Sequence, residues 1–346
     1  MRFQILLILI LVLLQCKKNS TSLPGITDHS PPIFNLNFEY IYSPANQVWY
    51  IRFNNSEKIF VLEYKLHTSI DKGLTWETFS SNYGLTSIAV SPFDDYAVLG
   101  FGGVMGGGGI YLSDDNGTNW KLNESIRRDD VISCAFIDTG KIFVGLGSHD
   151  ESSGGLTIST DYGKSWIEAG FNEFLSVLSI FPVTKSLILL GCILDNITDP
   201  NHGPQVYYSS NGGDQWELAQ IDSNMKMILT FEISSNDIIL AGTYGSGIYF
   251  SSDLGTSWNY FSHQNHLVYD IAISKENYIF VASQSYMNDT MNDFLSYSLD
   301  FGKTWAYDTS GVYGRIEALE IDEDNYLYIG SSTGLYRSST KTSKLK

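Results

Sequence analysis

From residue 227 the chain reads MILTFEIS, a Ser-Asn turn, DIILAGT, a glycine-containing turn, GIYFSS, an aspartate-containing turn and WNYFS. Each segment is a short apolar run or an alternation of apolar and polar residues, and each is bounded by turn residues, so four short strands are predicted. The connections are short enough to make them an antiparallel meander. The same plan can be laid over residues 48–79, 86–123, 131–168, 175–218, 227–262 and 268–307. A seventh unit, 316–339, stops where its aspartate turn should begin and lacks a fourth strand. The segment IFNLNFEYIYS, 33–43, precedes the first full unit and alternates as a strand does, so it is expected to supply the missing strand. Four-stranded sheets repeated around an axis make a β-propeller. The predicted fold is therefore all-β, a seven-bladed propeller of four-stranded antiparallel blades over residues 32–340, its last blade closed by the N-terminal strand. Closure also covers an edge that would otherwise offer unpaired backbone groups.

The turn between the third and fourth strands recurs as SIDKGLTW (69–76), SDDNGTNW (113–120), STDYGKSW (159–166), SSNGGDQW (209–216), SSDLGTSW (251–258) and SLDFGKTW (298–305). Successive tryptophans, Trp76, Trp120, Trp166, Trp216, Trp258 and Trp305, are 44, 46, 50, 42 and 47 residues apart, a repeat period. An active site is not repeated six times, so the turn reads as structural. Asp71, Asp115, Asp161, Asp253 and Asp300, with Asn211 in the fourth copy, can bond the turn's own backbone. The glycine permits positive φ, and the tryptophan is expected to bury its ring against the hairpin or the next blade. Six regularly spaced copies over about 300 residues resemble the BNR, or Asp-box, propeller superfamily. That group includes sialidases, xyloglucan-active hydrolases, the sortilin luminal domain and photosystem II assembly factors of the Ycf48 type.

Composition agrees with a large β-domain: among 346 residues are 7 Trp, 19 Phe, 22 Tyr and 31 Gly, but only 8 Pro. Residues 1–15 hold one charge, Arg2, and an apolar run from Ile5 to Leu14. That run falls short of the ~20 residues that span a bilayer and reads as a secretion signal. LLQC (13–16) followed by KKNSTS resembles a bacterial lipoprotein signal, with Gln15 where a small residue is usual. The resemblance implies a lipidated Cys16, a tether over 16–31 and an exported protein of the bacterial cell envelope, at the outer membrane or cell surface. An ordinary signal with an incidental cysteine is the alternative. Loss of Arg2 with the signal takes the net charge from −17 to −18, which argues against nucleic acid as a partner. Cys134 and Cys192 lie in apolar strands and read as small buried thiols with no indicated disulfide.

Two motifs imitate ligand loops. SDDNGTNW contains Asp114, Asp115 and Asn116 but lacks the terminal Glu and further carboxylates of a calcium loop. MGGGG (105–109) leads into a strand without a following Lys-Ser or helix and reads as a hairpin turn. No metal and no cofactor is expected.

In a meander the turns alternate between two ends, so the aspartate turns share a face with the first-to-second strand turns. The opposite face, with the connections between blades, is the candidate binding face. It carries Trp49, Arg52, Arg128 and Phe174 from the early connections, and Lys226, His266, Tyr313, Arg315 and Glu317 from the later ones. The second-to-third loops of blades four and six, about 193–205 and 283–295, are expected to be long. His263 and His266 read as solvent-exposed loop histidines.

The superfamily resemblance implies a sharper possibility. Its sialidases hold a substrate carboxylate with three arginines from different blades, with a Tyr nucleophile assisted by Glu and an Asp acid/base. After the signal this chain has Arg52, Arg127, Arg128, Arg315 and Arg337, and Arg52 lies in YIRFN, not in the family's Phe/Tyr-Arg-Ile-Pro. A xyloglucanase-like pair would have to come from Asp129 and Glu173, and that family generally uses two propellers. The expectation is a non-catalytic, lipid-anchored monomer that binds a protein or glycan opposite the aspartate turns, with a sialidase-like glycoside hydrolase as the alternative.

Overall fold

The computed structural model describes residues 36–43, 46–102, 107–126, 130–147, 154–171, 175–194, 203–285, 292–308 and 311–345. Seven four-stranded antiparallel sheets follow one another at 50–79, 84–123, 131–168, 175–218, 228–262, 266–308 and 316–338, blades one to seven. Within blades one to six the strands lie in sequence order, and the first strands of neighbouring blades touch all the way round, including seven against one. These first strands therefore line a central channel.

Blade seven is completed from the other end of the chain. Phe38–Tyr42 pairs antiparallel with Leu335–Ser338, with Phe38 opposite Ser338 and Tyr40 opposite Tyr336. The seam is fastened on its blade-one side as well. Tyr42 stacks on Trp76 with ring centroids 4.4 Å apart, and its hydroxyl lies 3.1 Å from Nδ1 of the buried His67. His67 Nε2 in turn lies 2.8 Å from the buried Glu63 carboxylate.

The second strands are the most deeply buried, because each is sandwiched on both faces by neighbouring blades. Phe60, Phe143, Phe280 and Leu240 are wholly buried there, and each such side chain contributes roughly 1.5–3 kcal/mol. The cores form clusters that span neighbouring blades; one joins Phe143 of blade three with Leu190 of blade four. Cys134 and Cys192 are both free thiols on separate blades, Cys192 fully buried and Cys134 partly so. Burial raises the proton affinity of both, Cys134 to about 11.

The strands beside the expected long loops run further than the sequence suggested. In blade four they are Ile188–Leu194 and Gly203–Ser209, and in blade six Ile279–Ser285 and Asn292–Ser298. Much of 283–295 is thus strand, and the remaining connections, 195–202 and 286–291, lie outside the described residues. Of MGGGG, residues 105 and 106 lie outside the described residues, and Gly109 opens the third strand of blade two.

Candidate functional site

The aspartate turns are closed hydrogen-bond units. In blade three, Ser159 Oγ donates to Asp161 Oδ1 at 2.9 Å and accepts from Gly163 N at 2.7 Å. Asp161 also accepts from Ser165 N at 2.8 Å and Ser165 Oγ at 2.6 Å. The Trp166 indole donates to the Gly163 carbonyl at 3.1 Å. Asn211 preserves the central bonds, accepting from Ser209 Oγ and Gln215 N at 2.9 Å each. These donors hold Asp71, Asp115 and Asp161 down at about 2: Thr75 side chain and backbone first for Asp71, Asn119 for Asp115 and Ser165 for Asp161. In the calcium-like copy Asp115 is used in this way, and Asp114 pairs with Lys121 at 3.3 Å.

The glycines have a second function that the turn pattern does not reveal. A Cβ at Gly117 would overlap the Phe60 ring of blade one, and one at Gly213 would overlap Phe143 of blade three. The tryptophans follow the same direction: Trp76 meets Tyr42 of the closing strand, Trp120 meets Phe79 and Trp305 meets Phe261. The turns pack on the preceding blade, not the next one, so they join the ring as well as reverse the chain.

A shallow cleft lies on the aspartate-turn face between blades one and two, lined by Asn54, Asn55, Ser56, Phe93, Asp94, Asp95 and Asn116. Its amides bond neighbouring groups: Asn54 Nδ2 donates to Asn116, Asn116 Nδ2 to Ser56 Oγ at 3.3 Å, and Asn55 Nδ2 to the Pro92 carbonyl at 2.8 Å. The turn bonds hold it in shape.

On the opposite face Arg315 is the organising residue. Its Nε donates to Glu317 Oε1 at 2.6 Å and its Nη2 to Gln47 Oε1 at 2.8 Å, while its guanidinium lies 5.8 Å from the centre of the Tyr269 ring. One side chain thereby joins blades six, seven and one. Tyr313 beside it is 73% exposed. Trp49 meets the exposed Tyr64 edge to face at 4.7 Å, and Lys226 is exposed at the entry to blade five. Arg128 and Phe174 lie outside the described residues, as do Asp129 and Glu173. The histidines differ from expectation, both being partly buried against blade six. His263 Nε2 lies 2.7 Å from Ser296 Oγ and its ring sits on Trp305 at 4.4 Å, so burial, reinforced by His266, pushes its pKa down to about 3. His266, 3.3 Å from Ser283 Oγ, is lowered by burial.

Arg52 is not on the rim. It projects into the channel, donates to Glu320 at 3.2 Å and interacts with Asp270 and Glu232. These four residues come from the first strands of four consecutive blades, one, seven, six and five, which line one side of the channel. Burial raises Glu320 to about 7 against the pull of Arg52, and burial followed by the charges of Glu320 and Asp270 raises Glu232 well above the carboxylate range. Channel solvent still touches about a third of the pair, with Arg52 38% and Glu320 32% exposed, so its attraction is screened. Asp270 is a stitch: it accepts from Thr230 Oγ1, Ile271 N and Leu319 N, each at 2.9 Å, linking blades five, six and seven. Sequence reasoning missed this cluster because a channel-facing polar position alternates along a strand just as a solvent-facing one does.

Glu317 and Glu320 lie three residues apart on Ile316–Ile321, ~10 Å along a strand. The two arginines therefore sit at different depths, each bound to its own glutamate, and do not converge on one substrate position.

Solved structures share this architecture. Ycf48 bound to a D1 peptide matches with TM-score 0.66 and 14% identity over 89% of this chain and 98% of that one. A GH74 xyloglucanase from Xanthomonas campestris matches with TM-score 0.68 and 13% identity over 87% of this chain. PorZ, a bacterial surface component of the type-IX secretion system of Porphyromonas gingivalis, matches with TM-score 0.64 and 17% identity over 85%. This chain corresponds to 53% of the xyloglucanase chain and 46% of PorZ, and at such identities the likeness is one of fold, a β-propeller. No protein-family model and no curated protein matches the sequence.

Proposed function

We propose that this Asp-box propeller is an exported, lipid-anchored binding module that recognises a segment of a partner protein on the face opposite the aspartate turns and does not catalyse. The observation that carries this reading is the commitment of the arginines. Arg315 is held by Glu317 and Gln47, and Arg52 is held by Glu320 at another depth, so neither is available to grip a substrate carboxylate. Around Arg315 the rim instead offers aromatic surface: exposed Tyr313, and Trp49 against Tyr64. Aromatic side chains beside a fixed arginine are what protein interfaces use as anchors. The fold likeness to Ycf48 bound to a D1 peptide favours a peptide over a glycan.

A panel of fluorogenic glycosides, including a sialoside, tests the non-catalytic part with the chain from residue 17 onward and an Arg315→Ala control. The expected result is no turnover on any substrate by folded protein. Turnover that disappears in the variant would replace binding with glycoside hydrolysis.

A further inference from the structure

The six aspartate turns share one skeleton but not one surface. In blade one the positions flanking the tip are Ile70 and Leu74, 81% and 84% exposed. At the Leu74 position the other copies carry Thr118, Lys164, Asp214, Thr256 and Lys303. At the Ile70 position four carry Asp114, Thr160, Ser210 or Ser252, and the fifth carries Leu299, which packs against a core cluster. The turn therefore does not require apolar residues here, and in blade one they cover nothing.

Their position narrows what they meet. The closing strand begins with Phe38 paired to Ser338, and Ser339 N donates to the Asn37 carbonyl at 2.7 Å. Its far end, Tyr42, pairs with Leu335 beside the second-to-third turn of blade seven, so the chain enters the propeller on the aspartate-turn face. It enters as the outer strand of blade seven, the neighbour of blade one, and further along that strand Ile41 lies against Gly73 of the blade-one turn. Residues 17–35 span at most ~65 Å from Cys16, and the first described residue, Leu36, is buried beside Ser339 in the core shared by blades six and seven, on the aspartate-turn side. Lysines accompany the pair in a chain of net charge −17. Lys72, at the tip between them, pairs with Glu57 at 3.3 Å and shares Asp324 with Lys341, at 3.1 and 3.4 Å, and Lys344 is exposed in the C-terminal turn Thr342–Lys344.

We infer that this turn is a membrane foot: Ile70 and Leu74 enter the headgroup region of the bilayer, with Lys72 at the phosphate level. Two apolar side chains bind a bilayer weakly, and an acyl tether at the same side supplies the second signal that stable attachment needs. The consequence is orientation. The aspartate-turn face looks at the membrane, and the face carrying Arg315 and Tyr313 points away from it. The biological setting rests on the lipid-anchor reading, whereas the foot itself rests on the exposed pair and the entry point of the chain.

The propeller closes within residues 36–345, so the test uses the chain from residue 17 with a histidine tag in place of Cys16. The tag holds it on phosphatidylethanolamine and phosphatidylglycerol vesicles containing a nickel-chelating lipid. A Leu74→Cys variant carries a nitrobenzoxadiazole label, and Thr256→Cys carries it on blade five. The native thiols are buried or partly buried, which favours labelling at the introduced one. On capture, emission from position 74 is expected to rise about twofold or more while position 256 stays unchanged, and adding Ile70→Ser should abolish the rise. No rise at 74, or an equal rise at both positions, overturns the foot. Mass spectrometry of Cys16 in the full chain reads the anchor separately. A rise without acylation removes the anchor alone, and acylation without a rise removes the foot alone.

Discussion

At the residue scale, two groups of carboxylates shift in opposite directions, and each sets one side of a stability profile. Asp71, Asp115 and Asp161 are held at about 2, below the ~3.9 of an unfolded Asp. Their contribution is present above about pH 4 and is lost as pH falls toward 2. Glu320 is raised to about 7 from the ~4.3 of an unfolded Glu, so its contribution is present below about pH 4 and is lost as pH rises through 7. Urea midpoints measured from pH 2 to 8 should therefore peak near pH 4 to 5. Glu320→Gln should make the decline between 4.5 and 7 shallower, the remainder coming from Glu232 and Asp270, and leave the acid limb intact. A wild-type profile without that decline, or the same decline in the variant, contradicts the channel assignment. The roles of the repeated Ser, Asp and Trp were legible from their spacing because local turn chemistry fixes them. The channel cluster was not, since Arg52, Glu232, Asp270 and Glu320 are far apart in sequence and meet only when the ring closes.

At the element scale, the blades could be read because each is a local meander whose strands pair with sequence neighbours. The closing strand could be read by counting, since blade seven lacks one strand and the N-terminal segment has one to give. What the sequence did not give away was the direction of packing between blades: the turn glycines touch Phe60 and Phe143 of the preceding blade, a contact made across a sheet stack. The extent of the strands in blade six was also hidden, because SQS at 283–285 lacks apolar alternation and is held in the ladder by its partners. Removing the closing strand, with a chain starting at residue 43, exposes the edge of Leu335–Ser338 and the Tyr42 contact on Trp76. The expected outcome is a stability loss of about 3 kcal/mol or more together with association through the open edge. Light scattering and urea unfolding check it, and a monomer with an unchanged midpoint would show that the seam does not hold the ring.

At the scale of the whole molecule, the two faces are chemically different. One carries six self-contained turns, the entry of the chain and the exposed Ile70 and Leu74. The other carries Arg315 fixed between three blades, with Tyr313, Trp49 and Tyr64 around it. Of the residues expected to form the binding face, Trp49, Lys226, His266, Tyr313, Arg315 and Glu317 lie at or just before the starts of first strands, Arg52 faces the channel, and Arg128 and Phe174 lie outside the described residues. A rigid ring that holds one face toward the bilayer would present the other to a partner without any moving part. The most direct test selects peptides from a displayed random library against the chain from residue 17 and measures their affinity for two double variants. A binding face opposite the aspartate turns predicts at least about tenfold weaker binding to Tyr313→Ala with Arg315→Ala, a hot-spot-sized loss, and unchanged binding to Ile70→Ser with Leu74→Ser. Selected peptides that ignore the first variant and are lost with the second would contradict the account.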